Sequence, residues 1–504
     1  MSVAKKLVGQ TAVYGVSSIV GRALTFLLVP LYTSRFPAAA YGIVTELYAY
    51  VAFLNIFFTY GMESAFFRFA TRPGADRQEL YDRVLSLLLV TSFVLSGLFV
   101  LLSPTLAQVL QYPGKEKYLI WLALVMGIDA VSAIAFARLR LENKARKVAT
   151  VRFVNILLNV GLSLFFIVLC PDILAGKYLT ALQPLVNLVY SPNLGVGYVF
   201  LIGLLANLLY IPMLWRELTD FQFRLNLAFL RPMLQYAYPL MFMGLAGMVN
   251  ETFDRPLLKY WLPEGFYPGK SSEAAMGIYG ACYKLAIFMS LVITAFRYAA
   301  EPFFFSQSTE KNSPATFALI LKWFTLCCAF IFVFISVNIE DFGLLLRSPE
   351  YRTGLAVVPV LLLANLFLGM YYNLSVWFKL TDKTYFGTYI SLAGAVLTIV
   401  LNFLLIPVLG YMGSAITTLA CYFMMAVVCG WLGQRHYPIP YPVRRLAAWL
   451  LFAIGIVAVS WFTPITEYWL RHTFHVGLCL LFVGLLYLVE RPAKQVTAPQ
   501  LTRK

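Results

Sequence analysis

Apolar runs long enough to cross a lipid bilayer recur along the whole chain, and short polar connections separate them. The hydrocarbon core of a bilayer requires a helix of about 20 apolar residues. Clusters of Pro and Gly mark breaks between the runs, as at Pro113-Gly114 and Pro268-Gly269. The pattern predicts an all-α integral membrane protein with fourteen transmembrane helices. The predicted helices lie at 8–30, 41–63, 83–105, 118–138, 149–170, 194–214, 233–256, 275–299, 317–339, 355–378, 385–406, 413–432, 446–464 and 473–490.

The composition supports this class of protein. The 504 residues are 61% hydrophobic and only 12% charged, whereas soluble domains carry about 25% charged residues. The mean hydropathy is +0.77. Lys5 and Lys6 precede a first apolar run that is too long for a cleaved signal, so we expect a retained cytoplasmic anchor.

The basic residues predict the orientation. Most of the 39 Lys and Arg residues fall in alternate connections, and one connection holds Arg138, Arg140, Lys144, Arg146, Lys147 and Arg152. By the positive-inside rule, both termini should be cytoplasmic and the protein should lie in the cytoplasmic (inner) membrane. The net charge of +16 is therefore explained by topology and contact with anionic lipids, and it does not indicate nucleic acid. The seven scattered Cys residues and the pair His472 and His475 lack metal-ligand spacing, so we expect no metal site and no cofactor.

Arg22 lies inside the first apolar run. With Thr11, Ser18 and Thr25 it forms one polar stripe at helical spacing. An arginine cannot lose its proton, and its burial at membrane depth costs about 2.5–3.5 kcal/mol on insertion scales. We therefore expect Arg22 to face a wet cavity that receives an anion.

Further charges lie within the predicted helices. We predict that Arg22, Lys284, Arg297 and Arg255 form a cationic cavity that binds a pyrophosphate, because arginine offers two parallel donors and lysine a point charge. Acids at Asp129, Glu46, Asp254 and Glu251 would act as counter-ions or bind a coupling H⁺ or Na⁺. Glu63 and Glu301, near cytoplasmic ends, would form gate ion pairs. The alternative is that these charges are internal ion pairs that fasten helices to one another.

An internal repeat accompanies these charges. Gly42-Ile43, Tyr48 and Phe53 match Gly277-Ile278, Tyr283 and Phe288 at a constant offset. Six helices separate the copies, so both copies run in the same direction across the membrane. The repeat predicts two pseudo-symmetric six-helix lobes, at 1–230 and 231–440, followed by two additional helices at 441–490 and a cytoplasmic tail at 491–504. Transporters with repeats commonly hold substrate between them.

Several motifs in order resemble polysaccharide transporters of the multidrug/oligosaccharidyl-lipid/polysaccharide (MOP) superfamily. The motifs are Asn250-Glu251-Thr252-Phe253-Asp254-Arg255 with Leu258-Lys259-Tyr260, Gly277-Ile278-Tyr279 with Tyr283-Lys284-Leu285-Ala286, Glu301-Pro302-Phe303, Pro349-Glu350-Tyr351 and Gly410-Tyr411-Met412-Gly413-Ser414-Ala415. The resemblance implies a flippase with fourteen helices, two lobes and alternating access. The implied substrate is an oligosaccharide on polyprenyl pyrophosphate, for O-antigen, capsule or exopolysaccharide synthesis. Partners would be membrane lipids, a polysaccharide polymerase and glycosyltransferases.

The resemblance also bears on single residues. In related lipid II flippases, arginines on the first and eighth helices line the central cavity, and Arg22 and Arg297 lie on the matching helices here. Lys284 departs from this pattern because it is not an arginine. The coupling ion stays open between H⁺ and Na⁺.

Two other functions remain open from the residues. A multidrug antiporter for organic cations should carry acids and aromatic residues in its cavity without a central arginine, so Arg22 argues against it. A membrane glycosyltransferase or polymerase needs acidic catalytic residues in an outer loop. The longest such loop, from Pro171 to Tyr198, contains Asp172 as its only acid, so we expect no enzyme.

Overall fold

The structure is a computed structural model that describes residues 19–307, 313–381 and 383–490. Within these residues the regular structure is entirely helical. The main helices are α1 (19–26, continued by Leu28–Arg35), α2 (Ala38–Thr59), α3 (Arg77–Leu101), α4 (Glu116–Leu141), α5 (Ala145–Ser163), α6 (Gly197–Leu208), α7 (Leu227–Thr252), α8a (Ser272–Leu285), α8b (Ile287–Gln307), α9 (Ser313–Val337), α10 (Val357–Leu374), α11 (Tyr385–Leu409), α12 (Tyr411–His436), α13 (Val443–Phe462) and α14 (Tyr468–Glu490). Shorter helices include Met62–Ala70, Ser103–Val109, Cys170–Leu174, Gln183–Val189, Asp254–Trp261 and Pro349–Arg352. Lys5, Lys6, Thr11, Ser18 and the predicted tail lie outside the described residues.

The prediction of an all-helical, multi-pass membrane protein is confirmed. Ten of the described helical segments are long and apolar enough to cross a bilayer, and α8a with α8b makes an eleventh if the bent pair is one span. The number fourteen stays a prediction. The described part of α1 begins at residue 19, α6 has only 12 residues, and α7 contains Pro232 and Pro239.

The helices pack in two groups. In the first group, α3 and α6 pack on α4, and α6 also packs on α5. In the second group, α10 and α11 pack on α12, α7 packs on α11, and α13 and α14 pack on α9. The groups meet mainly where α2 packs along α8a. The lobe boundaries at 230 and 440 stay predictions.

Two glycines of the sequence repeat allow this close contact between the groups. A Cβ atom on Gly277 would lie 2.0 Å from the carbonyl oxygen of Ala38, and one on Gly42 would lie 2.1 Å from the carbonyl oxygen of Glu273. Real side-chain atoms cannot approach a backbone oxygen so closely. Glycine at both positions is therefore required for α2 and α8a to pack as they do.

Breaks in the long helices position the polar groups. The chain turns after α2 at Tyr60 and Gly61, whose φ angles are 31° and 74°. α7 ends at Thr252 and a new helix begins at Asp254. α8a and α8b meet at Ala286 with a bend of 46°. This bend separates Lys284 from Arg297, so the two cations lie on differently directed parts of the same predicted span.

Candidate functional site

A cavity of about 730 Å³ lies between the two helix groups. Small-molecule sites typically have volumes of about 300–1,000 Å³. Side chains from α1, α2 and α5 line one side, and side chains from α7, α8a, α8b, α10 and α12 line the other. The cavity therefore lies at the junction where the sequence repeat predicts a substrate site.

Among the described residues, five cations and a single acid line this cavity. The cations are Arg22, Arg152, Arg255, Lys284 and Arg297, and the acid is Glu251. All of these except the half-buried Arg255 are exposed to the cavity. Among the residues that the structure describes, no carboxylate forms an ion pair with any of the five cations. The four cations predicted from sequence thus come together, and a fifth joins them.

Arg152 is the cation that sequence reasoning missed. In the sequence it counts with the basic residues of a cytoplasmic connection, because it lies in the first turn of the predicted helix at 149–170. The structure begins α5 at Ala145, so Arg152 lies about two turns inside the helix. The signal that could have found it was the polar face that Arg152 shares with Asn155.

Three of the arginines make cation–π contacts with aromatic rings. The Arg255 guanidinium carbon lies 4.6 Å from the ring centre of Tyr283, and that of Arg297 lies 4.1 Å from the ring centre of Tyr372. Arg152 lies over Phe136 at 5.2 Å. A guanidinium that stacks by its face keeps its N–H donors, which lie in its plane, for other partners. These contacts orient the arginines without neutralising their charge.

Of the four acids predicted as counter-ions, only Glu251 lines the cavity. Asp129 accepts a hydrogen bond from the Asn207 amide at 2.9 Å. Asp254 is buried and accepts a hydrogen bond from Tyr279. These acids therefore do not neutralise the cavity by direct contact.

Glu46 belongs to a second polar site, which we call the Glu46–Lys259 cluster and define as Glu46, Tyr50, Tyr112, Lys259 and Tyr260. The Lys259 amine lies 3.1 Å from a Glu46 oxygen, and both side chains are at most 1% exposed. Lys259 also donates to the carbonyl of Leu110 at 2.6 Å and lies 3.7 Å from the centre of the Tyr112 ring. Glu46 accepts hydrogen bonds from all three tyrosines.

This cluster connects the two helix groups. Glu46 and Tyr112 belong to the first group, and Lys259 and Tyr260 belong to the helix Asp254–Trp261 that follows α7. Every charged atom has a partner, as a buried ion pair requires. The groups are therefore joined here by a dry ion pair, whereas the cations of the cavity beside it form no ion pair with a described carboxylate.

The two predicted gate acids have different outcomes. Glu63 forms an ion pair with Arg140. Glu63 lies on the helix Met62–Ala70 and Arg140 lies on α4, both before residue 230, so this pair does not join the two predicted lobes. The side chain of Glu301 lies outside the described residues, and its role stays a prediction.

Comparisons with known proteins agree with this architecture. Residues 7–308, more than half of the chain, match the sequence family described as "Polysaccharide biosynthesis protein". No curated protein sequence matches the chain.

Solved structures show the same fold. The lipid II flippase MurJ, in an inward closed conformation, has 13% sequence identity and a TM-score of 0.68, over 94% of this chain and 98% of that chain. An inward-facing multidrug resistance MATE transporter of the MOP superfamily has 14% identity and a TM-score of 0.63, over 85% of this chain and 95% of that chain. An outward-facing MATE transporter has 13% identity and a TM-score of 0.57, over 88% and 96%. The predicted family resemblance is confirmed by the family match, and the chain shares its fold with these transporters.

Proposed function

This chain belongs to the family of polysaccharide biosynthesis proteins, and from that premise we propose that it is a flippase for a polyprenyl-pyrophosphate-linked oligosaccharide. It would carry this lipid-linked glycan across the cytoplasmic membrane by alternating access. The product would serve the synthesis of O-antigen, capsule or exopolysaccharide. A polysaccharide polymerase and glycosyltransferases would then be its partners.

The observation that carries this proposal is the excess of cations in the cavity. Five cations face one acid, and no described carboxylate pairs with any of the five. Charge-assisted hydrogen bonds from arginine to phosphate are strong and often bidentate. A pyrophosphate would supply the negative charge that the described cavity residues lack.

The rest of the cavity wall suits a glycan. Hydroxyl and amide side chains line it together with aromatic rings, among them Thr45, Tyr48, Ser290, Thr294 and Asn365. Sugar hydroxyls can exchange hydrogen bonds with such groups. The prenyl chain would stay in the lipid at the seam between the groups, since only the polar head group needs a wet path.

The contacts between the groups supply a gate for alternating access. With cytoplasmic termini, the start of α2, the start of α8a and the Glu46–Lys259 cluster would all lie on the outer side. This side would open only if Lys259 and Glu46 separated. Neutralisation of the cavity cations by the bound pyrophosphate would favour the change of state. Glu251, the acid within the cavity, would bind the coupling H⁺ or Na⁺.

We do not propose an enzyme. The loop from Pro171 to Tyr198 has Asp172 as its only acid. Asp172 is already paired with Arg35 and with Lys177, each at 2.8 Å. An acid that two cations hold ionised is poorly suited to act as a general acid or base.

Glycolipid transport by the Arg22→Ala variant tests the proposal. We expect normal insertion into the membrane and loss of glycolipid translocation in proteoliposomes that contain a fluorescent polyprenyl-pyrophosphate oligosaccharide. Arg22→Lys should retain part of the activity, because it keeps the charge and loses only the bidentate geometry. The matched control is Arg146→Ala, which removes an exposed arginine outside the cavity. Normal translocation by Arg22→Ala would remove this residue from the proposed site.

A multidrug antiporter for organic cations is the second candidate. The observation that favours it is Glu251, which shares the cavity wall with Tyr283, Tyr372 and Tyr422, an acid and aromatic set that suits a cation. Efflux of a cationic dye from cells would distinguish the two functions. Under the flippase proposal, expression of this chain does not change dye efflux, and a rise in efflux that Glu251→Gln abolishes would favour the antiporter.

A further inference from the structure

The connection between α5 and α6 contains a helical segment, residues 180–189, that turns an apolar face away from the protein. We call it the connection helix. Its outward side chains are among the more exposed large apolar groups of the chain: Leu182 is 40% exposed, Leu185 64%, Leu188 83% and Val189 54%. A large apolar face left in water is unfavourable, and in native proteins such a face marks a contact with a partner or a membrane.

The opposite face fixes the depth of the connection helix. Gln183 donates a hydrogen bond to the carbonyl oxygen of Ile173 at 3.0 Å. Val186 is buried against Cys170 and Ile173. These two residues belong to the last turn of the membrane-spanning segment Ala145–Leu174. The connection helix therefore lies beside the end of a span, at the edge of the hydrocarbon region.

The charges near the connection helix mark the same boundary. Residues 178–196 contain no Asp, Glu, Lys or Arg. At the base of this stretch, Asp172 pairs with Arg35 and Lys177. Tyr178 and Tyr190 flank the apolar residues, and tyrosine is enriched where membrane meets water. Paired charges and tyrosines beside an uncharged apolar face fit a helix at the boundary between membrane and water.

We propose that the connection helix lies in the membrane surface and inserts Leu182, Leu185, Leu188 and Val189 among lipid acyl chains. Its occupant is thus the lipid itself. Contact with lipid would anchor the connection next to the end of α1, because Asp172, at the start of the connection, pairs with Arg35 of α1. The inference does not depend on which substrate the cavity carries.

Photocrosslinking in the full-length protein tests this contact. p-Benzoylphenylalanine replaces Leu185 or Leu188 in one set of variants and the exposed Asn187 in the matched control. After irradiation of native membrane vesicles, mass spectrometry identifies the adducts. We expect severalfold more phospholipid adduct at positions 185 and 188 than at 187.

Two results would overturn the proposal. Equal lipid adduct at all three positions would show that the apolar face is not specifically inserted. Adducts with another protein at 185 and 188 would show that a protein covers this face instead. The measurement is then repeated with purified protein in lipid nanodiscs, where no other protein is present. The proposal requires lipid adducts at 185 and 188 there too.

Discussion

Arg255 and Lys259 lie four residues apart on the same short helix, Asp254–Trp261, yet they belong to opposite environments. Arg255 lines the cavity, lies over Tyr283 and has no ion pair with a described carboxylate. Lys259 is 1% exposed and pairs with Glu46 across the two helix groups. Two neighbouring cations thus have two different roles.

The physical difference is access to water. Lys259 has lost its hydration, so its charge is tolerated only because Glu46, the Leu110 carbonyl and the Tyr112 ring replace the lost water. Arg255 keeps contact with the cavity, where water can hydrate its charge. We expect mutations in the Glu46–Lys259 cluster to change stability, and mutations in the cavity to change binding.

The largest expected effect is on stability, from Lys259→Met. This change leaves the Glu46 carboxylate buried without its partner, and removing one member of a buried pair costs about 3–5 kcal/mol. The measurement is the free energy of unfolding, from chemical denaturation of the purified protein in detergent. The double variant Glu46→Gln with Lys259→Met should recover most of the loss, because no buried charge remains.

The control for this experiment is Arg255→Met on the same helix. We expect it to change the free energy of unfolding by less than about 1 kcal/mol, since it removes no ion pair. If Arg255→Met is as destabilising as Lys259→Met, the contrast between the two sites is wrong. The same holds if the double variant is no more stable than the single one.

A further acid added to the cavity should weaken the binding of an anion. Thr294 lines the cavity one helical turn before Arg297 on α8b, so Thr294→Glu places a carboxylate next to that arginine. We expect affinity for a short-chain polyprenyl pyrophosphate to fall about ten- to hundredfold, because competition for one charge-assisted hydrogen bond is worth about 1.5–3 kcal/mol. Calorimetric titration in detergent measures the affinity. Thr294→Gln, of similar size and without charge, should bind normally, and a similar loss in both variants would contradict the electrostatic explanation.

The smallest expected effect comes from Arg255→Lys. The charge stays, but the stacking on Tyr283 and the bidentate geometry are lost. Because a cation–π contact is worth about 0.5–1 kcal/mol at accessible sites, we expect a two- to five-fold loss of affinity in the same titration. Tyr283→Phe keeps the ring and should bind like the unmodified protein. A loss of more than about a hundredfold for Arg255→Lys would mean that the bidentate geometry of the guanidinium, and not its charge, dominates binding.

Much of the fold could be predicted because its signals are local. The length of the apolar runs predicted a helical membrane protein, and the polar face of Thr25 and Arg22 placed that arginine toward the cavity that it lines. The repeat at Gly42 and Gly277 located the place where the helix groups touch. These features depend on the spacing of residues within one helix or on the sequence similarity of two helices. Spacing and similarity are both visible in the sequence.

Which charges line the cavity and which are paired in the Glu46–Lys259 cluster could not be predicted in this way. Glu46 and Lys259 are far apart in the chain, and nothing in the spacing of either residue indicates the other. In the sequence, Arg152 groups with a basic connection because it lies in the first turn of the predicted helix, whereas the structure places it about two turns inside α5 and on the cavity wall. The bend at Ala286 has neither proline nor glycine at the break, so no residue type marks its position along the chain.

The sequence by itself determined that this chain is a membrane protein, that it is built of helices, and that it keeps permanent positive charges within the predicted membrane region. Only the tertiary structure decided which of these charges share a wet cavity and which is locked in a dry pair. The reason is that hydration of a side chain depends on the helices that pack around it, and those helices come from distant parts of the chain.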